Sequence, residues 1–283
     1  MVGAALAGHF RDQGWQVQAT TRRREQVDGA HPYLDLAVPN LDLPNLVLPG
    51  ADMVILAAAV ARIGDCEVDP ATTQRVNVTG TLAVANHMAG QGSHVMLLSS
   101  DKVFDGTLPL RDRHENPSPA CAYGRQKAAA EAGILALGDK GAILRLSKVL
   151  EPGLELLTGW ARALALGKPI TPFNDLYLAP VTVDLVARIA VHIADERAAG
   201  IYHCTGSEDR TYVELADILA ASMGCDPALV QAISCEAAAM PAAARPRYTS
   251  LEMTVEQSRW SVAAPGFETT AKAIFSRLAD ANN

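Results

Sequence analysis

Met53-Val54-Ile55-Leu56-Ala57-Ala58-Ala59 is apolar at every position. A strand with one wet face alternates apolar and polar residues, so an unbroken run of this kind suits a strand covered on both faces. The chain repeats the theme outward from it. Arg75 to Ala89 reads as a helix and His94 to Ser99 as the next buried strand. Pro117 and Pro119 punctuate a loop before a helix that carries Tyr123 and runs to about Leu137, and Ala142 to Leu146 is a further strand. Upstream, Gln16 to Thr21 and Tyr33 to Leu36 read as short strands, the second leading to a proline-punctuated loop. Such alternation predicts an α/β fold, a doubly wound parallel sheet with helices on both faces. The alanine-rich stretch Glu236 to Ala244 reads as a loop or loose helix.

With 283 residues and 49% hydrophobic content, the chain is long enough for one large domain or two smaller ones. A net charge of −7 argues against nucleic acid or an anionic membrane surface as partner. The longest apolar stretch, Met53 to Ala61, stops at Arg62, short of a membrane span. The N-terminus lacks a basic region followed by an apolar core, so it does not read as a signal peptide and the expected setting is cytoplasmic. The five cysteines are odd in number, scattered and without metal-ligand spacing. They read as reduced, buried thiols, with no metal site.

The chain opens unusually. A dinucleotide-binding fold starts with a strand, a glycine-rich turn, and a helix whose N-terminus receives the pyrophosphate. Here Met1-Val2-Gly3 runs directly into a helical pattern, Ala4 to Gln13. Gly3 reads as the third glycine of a G-x-x-G-x-x-G turn, with Met1 between the second and third. The expectation is a Rossmann unit truncated at its N-terminus, as an internal methionine mistaken for the start codon would produce. The alternative is a flexible terminal Gly3 and a different first strand.

Tyr123-Gly124-Arg125-Gln126-Lys127 carries the chemistry. Four residues make about one helical turn, so the phenol and the ammonium share a face. An ammonium beside a phenol favours the phenolate and lowers its pKa toward the working pH. Chance supplies such a pair easily. Upstream, however, Leu97-Leu98-Ser99-Ser100-Asp101 is an apolar run ending in hydroxyls.

Three central segments together carry a family resemblance: Leu97 through Gly106, Glu115 through Pro119, and Tyr123 through Lys127. Asp52 through Ala59 and Arg75 through Thr81 match upstream. Weaker echoes follow at Ala179 to Asp184, Gly200 to Gly206 and Arg245 to Leu251. The chain resembles the extended short-chain dehydrogenase/reductases, and within them the dTDP-4-dehydrorhamnose reductase group. The resemblance implies Tyr123 as general acid toward a carbonyl oxygen. It implies Lys127 as the residue that tunes Tyr123 and bonds the nicotinamide ribose, and Ser100 as the hydroxyl orienting the substrate carbonyl. Asn77 matches an asparagine that supports a proton-relay water; read blandly, it is a polar residue on an exposed helix face. Ala57, Ala58 and Ala59 match small residues behind the cofactor, although alanines in a buried strand need no such role. Asp35-Leu36 resembles the pair that contacts adenine.

NADPH is the expected cofactor, with NADH the alternative. Thr21 is followed by Arg22, Arg23 and Arg24 with no acid until Glu25, and guanidinium groups suit a 2′-phosphate. Related dehydratases carry Thr-Asp-Glu where this chain has Ser100-Asp101-Lys102, and an ammonium cannot replace the glutamate base. The reductases usually have tyrosine at that position, so Lys102 departs from both groups; it reads as an exposed charge or as a contact to an anionic part of the substrate. Residues 1–150 are expected to form the dinucleotide-binding domain, with 179–195 packing back onto it. Residues 151–178 and 196–283 then form the substrate-binding part, where Arg245 and Arg247 suit a sugar-nucleotide diphosphate and Trp160 reads as core. The expected activity is reduction of a keto group on a nucleotide-activated sugar, with a homodimer as the candidate assembly. A nucleotide-sugar epimerase, and a non-catalytic subunit like the methionine adenosyltransferase regulator, are the alternatives.

Overall fold

The computed structural model describes residues 2–29, 31–38, 43 and 50–280. In chain order the main elements are α1 (Val2–Asp12), β1 (Met53–Leu56), α2 (Ile63–Val68), α3 (Pro70–Gln74), a π-helical turn (Arg75–Gly80), α4 (Thr81–Gly90), β2 (His94–Ser100), α5 (Ala122–Leu135) and β3 (Gly141–Leu146). They continue with β4 (Val149–Leu150), α6 (Glu155–Ala165), β5 (Tyr177–Leu178), β6 (Val181–Thr182), α7 (Val183–Asp195), β7 (Gly200–Cys204), β8 (Arg210–Thr211), α8 (Tyr212–Ser222), α9 (Thr254–Trp260) and α10 (Phe267–Asp280).

The chain divides into two units. The first takes residues up to Phe104, Pro117–Arg145 and Val186–Tyr202; the second takes Asp105–Asn116, Leu146–Leu185 and the chain from His203 on. A four-stranded sheet in the order β1-β2-β3-β7 gives the first unit its α/β character. β1 and β2 run parallel, Met53 opposite His94 and Leu56 opposite Leu97. Every residue of β2 and β3 is buried, the signature of strands with both faces covered. Val84, Ala85 and Met88 of α4 pack with Val95, Leu97, Ala130, Ile134 and Ile143 into one apolar cluster. Beneath α5, the buried Arg145 guanidinium bonds the Glu131 carboxylate, Nη2 to Oε2 at 2.8 Å and Nε to Oε1 at 3.1 Å.

Two expectations need correction. The strands read at Gln16 to Thr21 and Tyr33 to Leu36 reduce to one parallel bridge between Thr21 and Tyr33. Thr21 N–H donates to Pro32 O, and Leu34 N–H donates to Thr21 O. Two bonds tie one point of contact, and β propensity cannot extend a ladder that finds no further partner among the described residues. The run from Met53 ends as a strand at Leu56, because Ala57, Ala58 and Ala59 are exposed beyond the sheet. The proline-punctuated loop lies, apart from Leu43, outside the described residues, as does Met1.

In the second unit, β4 pairs with β6 in parallel and β5 with β8 in antiparallel fashion. Its core joins Leu157, Trp160 and Leu164 of α6, Leu215 and Leu219 of α8, and Ile274 and Phe275 of α10. Trp160 meets Tyr212 edge to face at 6.4 Å. α8 starts with a full capping box, Thr211 and Glu214 each accepting from the other's backbone N–H. A buried Arg113–Glu256 pair, Nη2 to Oε2 at 3.1 Å and Nη1 to Oε1 at 3.3 Å, also takes His203 N–H at 2.7 Å. The stretch from Glu236 is turns and a short 3-10 helix.

Candidate active site

α5 places Tyr123 through three local devices. The Cys121 sulfur caps the helix by accepting from Gly124 N–H at 3.4 Å. Glu67 reaches over from α2 to accept Ala122 N–H at 2.6 Å, putting negative charge on an orphan donor at the helix start. Gly124 lets the first turn press against the chain after β2: a Cβ there would lie 2.0 Å from the Lys102 carbonyl oxygen. The phenol thereby comes near Ser100 at the carboxyl end of β2.

Ser100 is the centre of a short polar chain. Its Oγ donates to Asp101 Oδ1 at 2.9 Å and accepts from Lys102 N–H at 3.2 Å. Asp101 Oδ2 takes the Lys102 ammonium. Lys102 is therefore half-buried and paired, contrary to its reading as an exposed charge. The buried Ser99 hydroxyl has no partner among the described residues.

The expected low-pKa phenol is also corrected. Burial, then the Asp101 charge, hold the Tyr123 phenol well above its ordinary value, and the Ser100 bond only partly opposes them. Lys127 donates to the Leu98 carbonyl at 2.6 Å. Burial brings its ammonium down to about 8, against the smaller pull of Glu131 in the other direction. Burial thus acts on both groups, favouring the neutral phenol of Tyr123 and bringing the Lys127 ammonium nearer to losing its charge.

Asn77 lies in the π-helical turn and is 1% exposed, so the exposed-face reading does not hold. Its Oδ1 accepts from Val60 N–H at 2.8 Å, while Nδ2 donates to Val60 O at 3.0 Å and to Gln126 Oε1 at 2.7 Å. Gln126 in turn donates to Thr73 Oγ1 at 2.9 Å. The asparagine thus clamps the backbone just after Ala57, Ala58 and Ala59 and ties it to α5.

The other candidates fall into separate places. Gly3 stands at the start of α1, where an added Cβ would lie 3.3 Å from Ala57 Cβ. The first turn of α1 holds no acid. Leu36 lies against Gly80, where an added Cβ would meet the Leu36 carbonyl oxygen, and Asp35 Oδ1 accepts Ala37 N–H at 2.9 Å. Arg22 and Arg23 are exposed, while Arg24 stacks over Tyr33 at 4.7 Å. In the second unit, Arg245 donates to the Met240 carbonyl and keeps a buried Nε without a partner among the described residues. Arg247 is exposed, over the Tyr248 ring at 5.7 Å. Among the described residues no group of three or more His, Cys, Asp or Glu could hold a metal ion.

Residues 1–279 match the family described as RmlD substrate binding domain. This chain belongs to that family. It is 32% identical over 219 residues to a dTDP-4-dehydrorhamnose reductase of Streptomyces griseus, an overlap of 75% of this chain and 70% of the relative. It is also 26% identical over 261 residues to methionine adenosyltransferase 2 subunit beta of Xenopus tropicalis, covering 87% of this chain and 75% of the relative. Its fold matches the crystal structure of a dTDP-4-dehydrorhamnose reductase from Bacillus anthracis in complex with NADP, with a TM-score of 0.78 at 22% identity over 90% of this chain and 93% of that one.

Some residues at this RmlD-family site escaped the sequence reading. Gln126 sits inside the Tyr123–Lys127 segment, and its spacing of three from Tyr123 signals a shared helix face. Glu131, four residues after Lys127, gives the same signal. Glu67 gave none, because its role as a helix cap is set by tertiary contact.

Proposed function

We propose that the protein is an NADPH-dependent reductase acting on a keto group of a nucleotide-activated sugar, with Tyr123 as general acid. The observation that supports this most directly is that α5 brings the Tyr123 phenol beside Ser100 at the carboxyl end of β2. NADPH, when bound, supplies the hydride. Tyr123 Oη then passes its proton to the carbonyl oxygen, which becomes a hydroxyl. Ser100 orients that carbonyl, and Lys127 holds the nicotinamide ribose. Asn77 fixes Val60 and keeps a second Oδ1 lone pair for a water.

The residues present fit the cofactor. Small, exposed Ala57, Ala58 and Ala59 follow the carboxyl end of a parallel strand, where α/β sheets take their ligands. Gly3 at the acid-free start of α1 suits the pyrophosphate, Arg22 and Arg23 the 2′-phosphate, and Asp35 and Leu36 the adenine. The first unit would hold the cofactor. Arg245 and Arg247, in the second unit, suit a diphosphate by charge, and Arg245 keeps a buried Nε with no partner among the described residues. The cysteines are free, in keeping with a cytoplasmic setting.

An epimerase would oxidise and re-reduce the sugar on one held cofactor, with no net consumption of NADPH, so net consumption separates the two readings. The test is consumption of NADPH in the presence of dTDP-4-dehydrorhamnose. Stoichiometric oxidation of NADPH, lost in Tyr123→Phe, is expected. A chain that binds NADPH yet oxidises none with any keto sugar nucleotide sinks the proposal and leaves a subunit of the kind named in Xenopus as the reading.

A further inference from the structure

We propose that Lys102 is a positioning residue for the general acid: its ammonium holds and neutralises Asp101, which in turn fixes the Ser100 hydroxyl under Tyr123. The inference rests on the reading of Tyr123 as the proton donor and assigns a part to a side chain outside that reading.

The geometry carries it in three steps. Asp101 is a carboxylate at 9% exposure, and a charge so placed needs a partner. Its side-chain partners are Ser100 Oγ on one oxygen and Lys102 Nζ on the other. The Lys102 main chain is tied into the same place, since its N–H donates to Ser100 Oγ and its carbonyl lies against Gly124, next to Tyr123. One residue thus touches the carboxylate, the hydroxyl and the helix that bears the phenol.

The electrostatic consequence follows. As Tyr123 gives up its proton, negative charge grows on its oxygen, and Asp101 already opposes that charge. An ammonium on the far oxygen of Asp101 reduces the repulsion at the moment of transfer. Cys66 and Cys121 also act on the phenol, in the same direction as Asp101. Lys102 is the cation joined to the Asp101 carboxylate itself.

The experiment compares kcat and KM of the full chain and three variants with NADPH and dTDP-4-dehydrorhamnose. Lys102→Met is expected to lower kcat by about 10- to 100-fold with KM nearly unchanged, within the range typical for support of an acid. Lys102→Arg keeps the charge and should stay within about threefold of wild type. Asp101→Asn combined with Lys102→Met removes both charges while an amide oxygen still accepts from Ser100, so the pair should be faster than Lys102→Met alone. A merely structural lysine would not give that recovery. The assignment is overturned if Lys102→Met keeps full kcat, if Lys102→Arg is as slow as Lys102→Met, or if the double variant is slower still. Should Lys102→Met fail to fold, near-wild-type rates in both other variants are required. An inactive wild-type chain overturns the reading of Tyr123 itself, and this inference with it; an active chain indifferent to Lys102 overturns the inference alone.

Discussion

Buried cations are held in two ways, and Arg145 of the first unit, forked onto Glu131, shares the first way with Arg113 of the second. Arg113, in the second unit, lies against Glu256 through two parallel bonds, and Glu256 also takes His203 N–H. Lys127, in the first, has one neutral carbonyl as its hydrogen-bond partner. A guanidinium keeps its charge and its fork to a carboxylate saturates it, whereas an ammonium with one neutral acceptor is left to burial, which brings it down to about 8. A saturated buried charge serves architecture, and an under-partnered one is available for chemistry.

Replacing one group in each unit breaks this contrast most sharply. Tyr123→Phe keeps the ring and removes only the acid, so reductase turnover should fall by about 10²- to 10⁴-fold while the melting temperature barely moves. A large loss of stability would mean the phenol is structural. Arg113→Met should do the reverse within its unit, destabilising the fold by roughly 3–5 kcal/mol in urea unfolding, because Glu256 is left buried and uncompensated. A change below about 1 kcal/mol would show that the pair contributes little.

Two smaller effects sharpen it. Gly124→Ala forces a Cβ onto the Lys102 carbonyl and should cost roughly 1–3 kcal/mol. Its kcat should drop more than its stability accounts for; an unaffected kcat would mean the close approach does not place Tyr123. The smallest effect concerns Lys127. Its folded-state pKa lies below the unfolded value, so the unfolded chain binds more protons between the two, and stability should rise from about pH 8 toward pH 10. The gain is on the order of 1 kcal/mol. Thermal unfolding of wild type against Lys127→Met should show the slope only in wild type, and equal slopes would place the lysine in solvent.

Legibility in the sequence followed the physics of each element. β2 and β3 were readable because strands buried on both faces leave long apolar runs. The segments at 16–21 and 33–36 carried the same local signal but pair at a single bridge, and pairing is not written in a single strand. Tyr123, Lys127 and Ser100 were found from spacing and resemblance. The raised phenol, the Lys102–Asp101 pair and the clamp by Asn77 were not, since each depends on burial or on a partner distant in sequence.

The π-helical turn at Arg75–Gly80 has a consequence of its own. One extra residue in a helix shifts everything after it by about 100° around the axis. The turn acts as a phase adjuster: Asn77, within it, faces Val60 and Gln126, and the α4 face that meets the sheet is set after it. Deleting a single residue there would make a more regular helix and a misaligned one. The irregular winding lets one rod face two surfaces that a uniform helix could not address together.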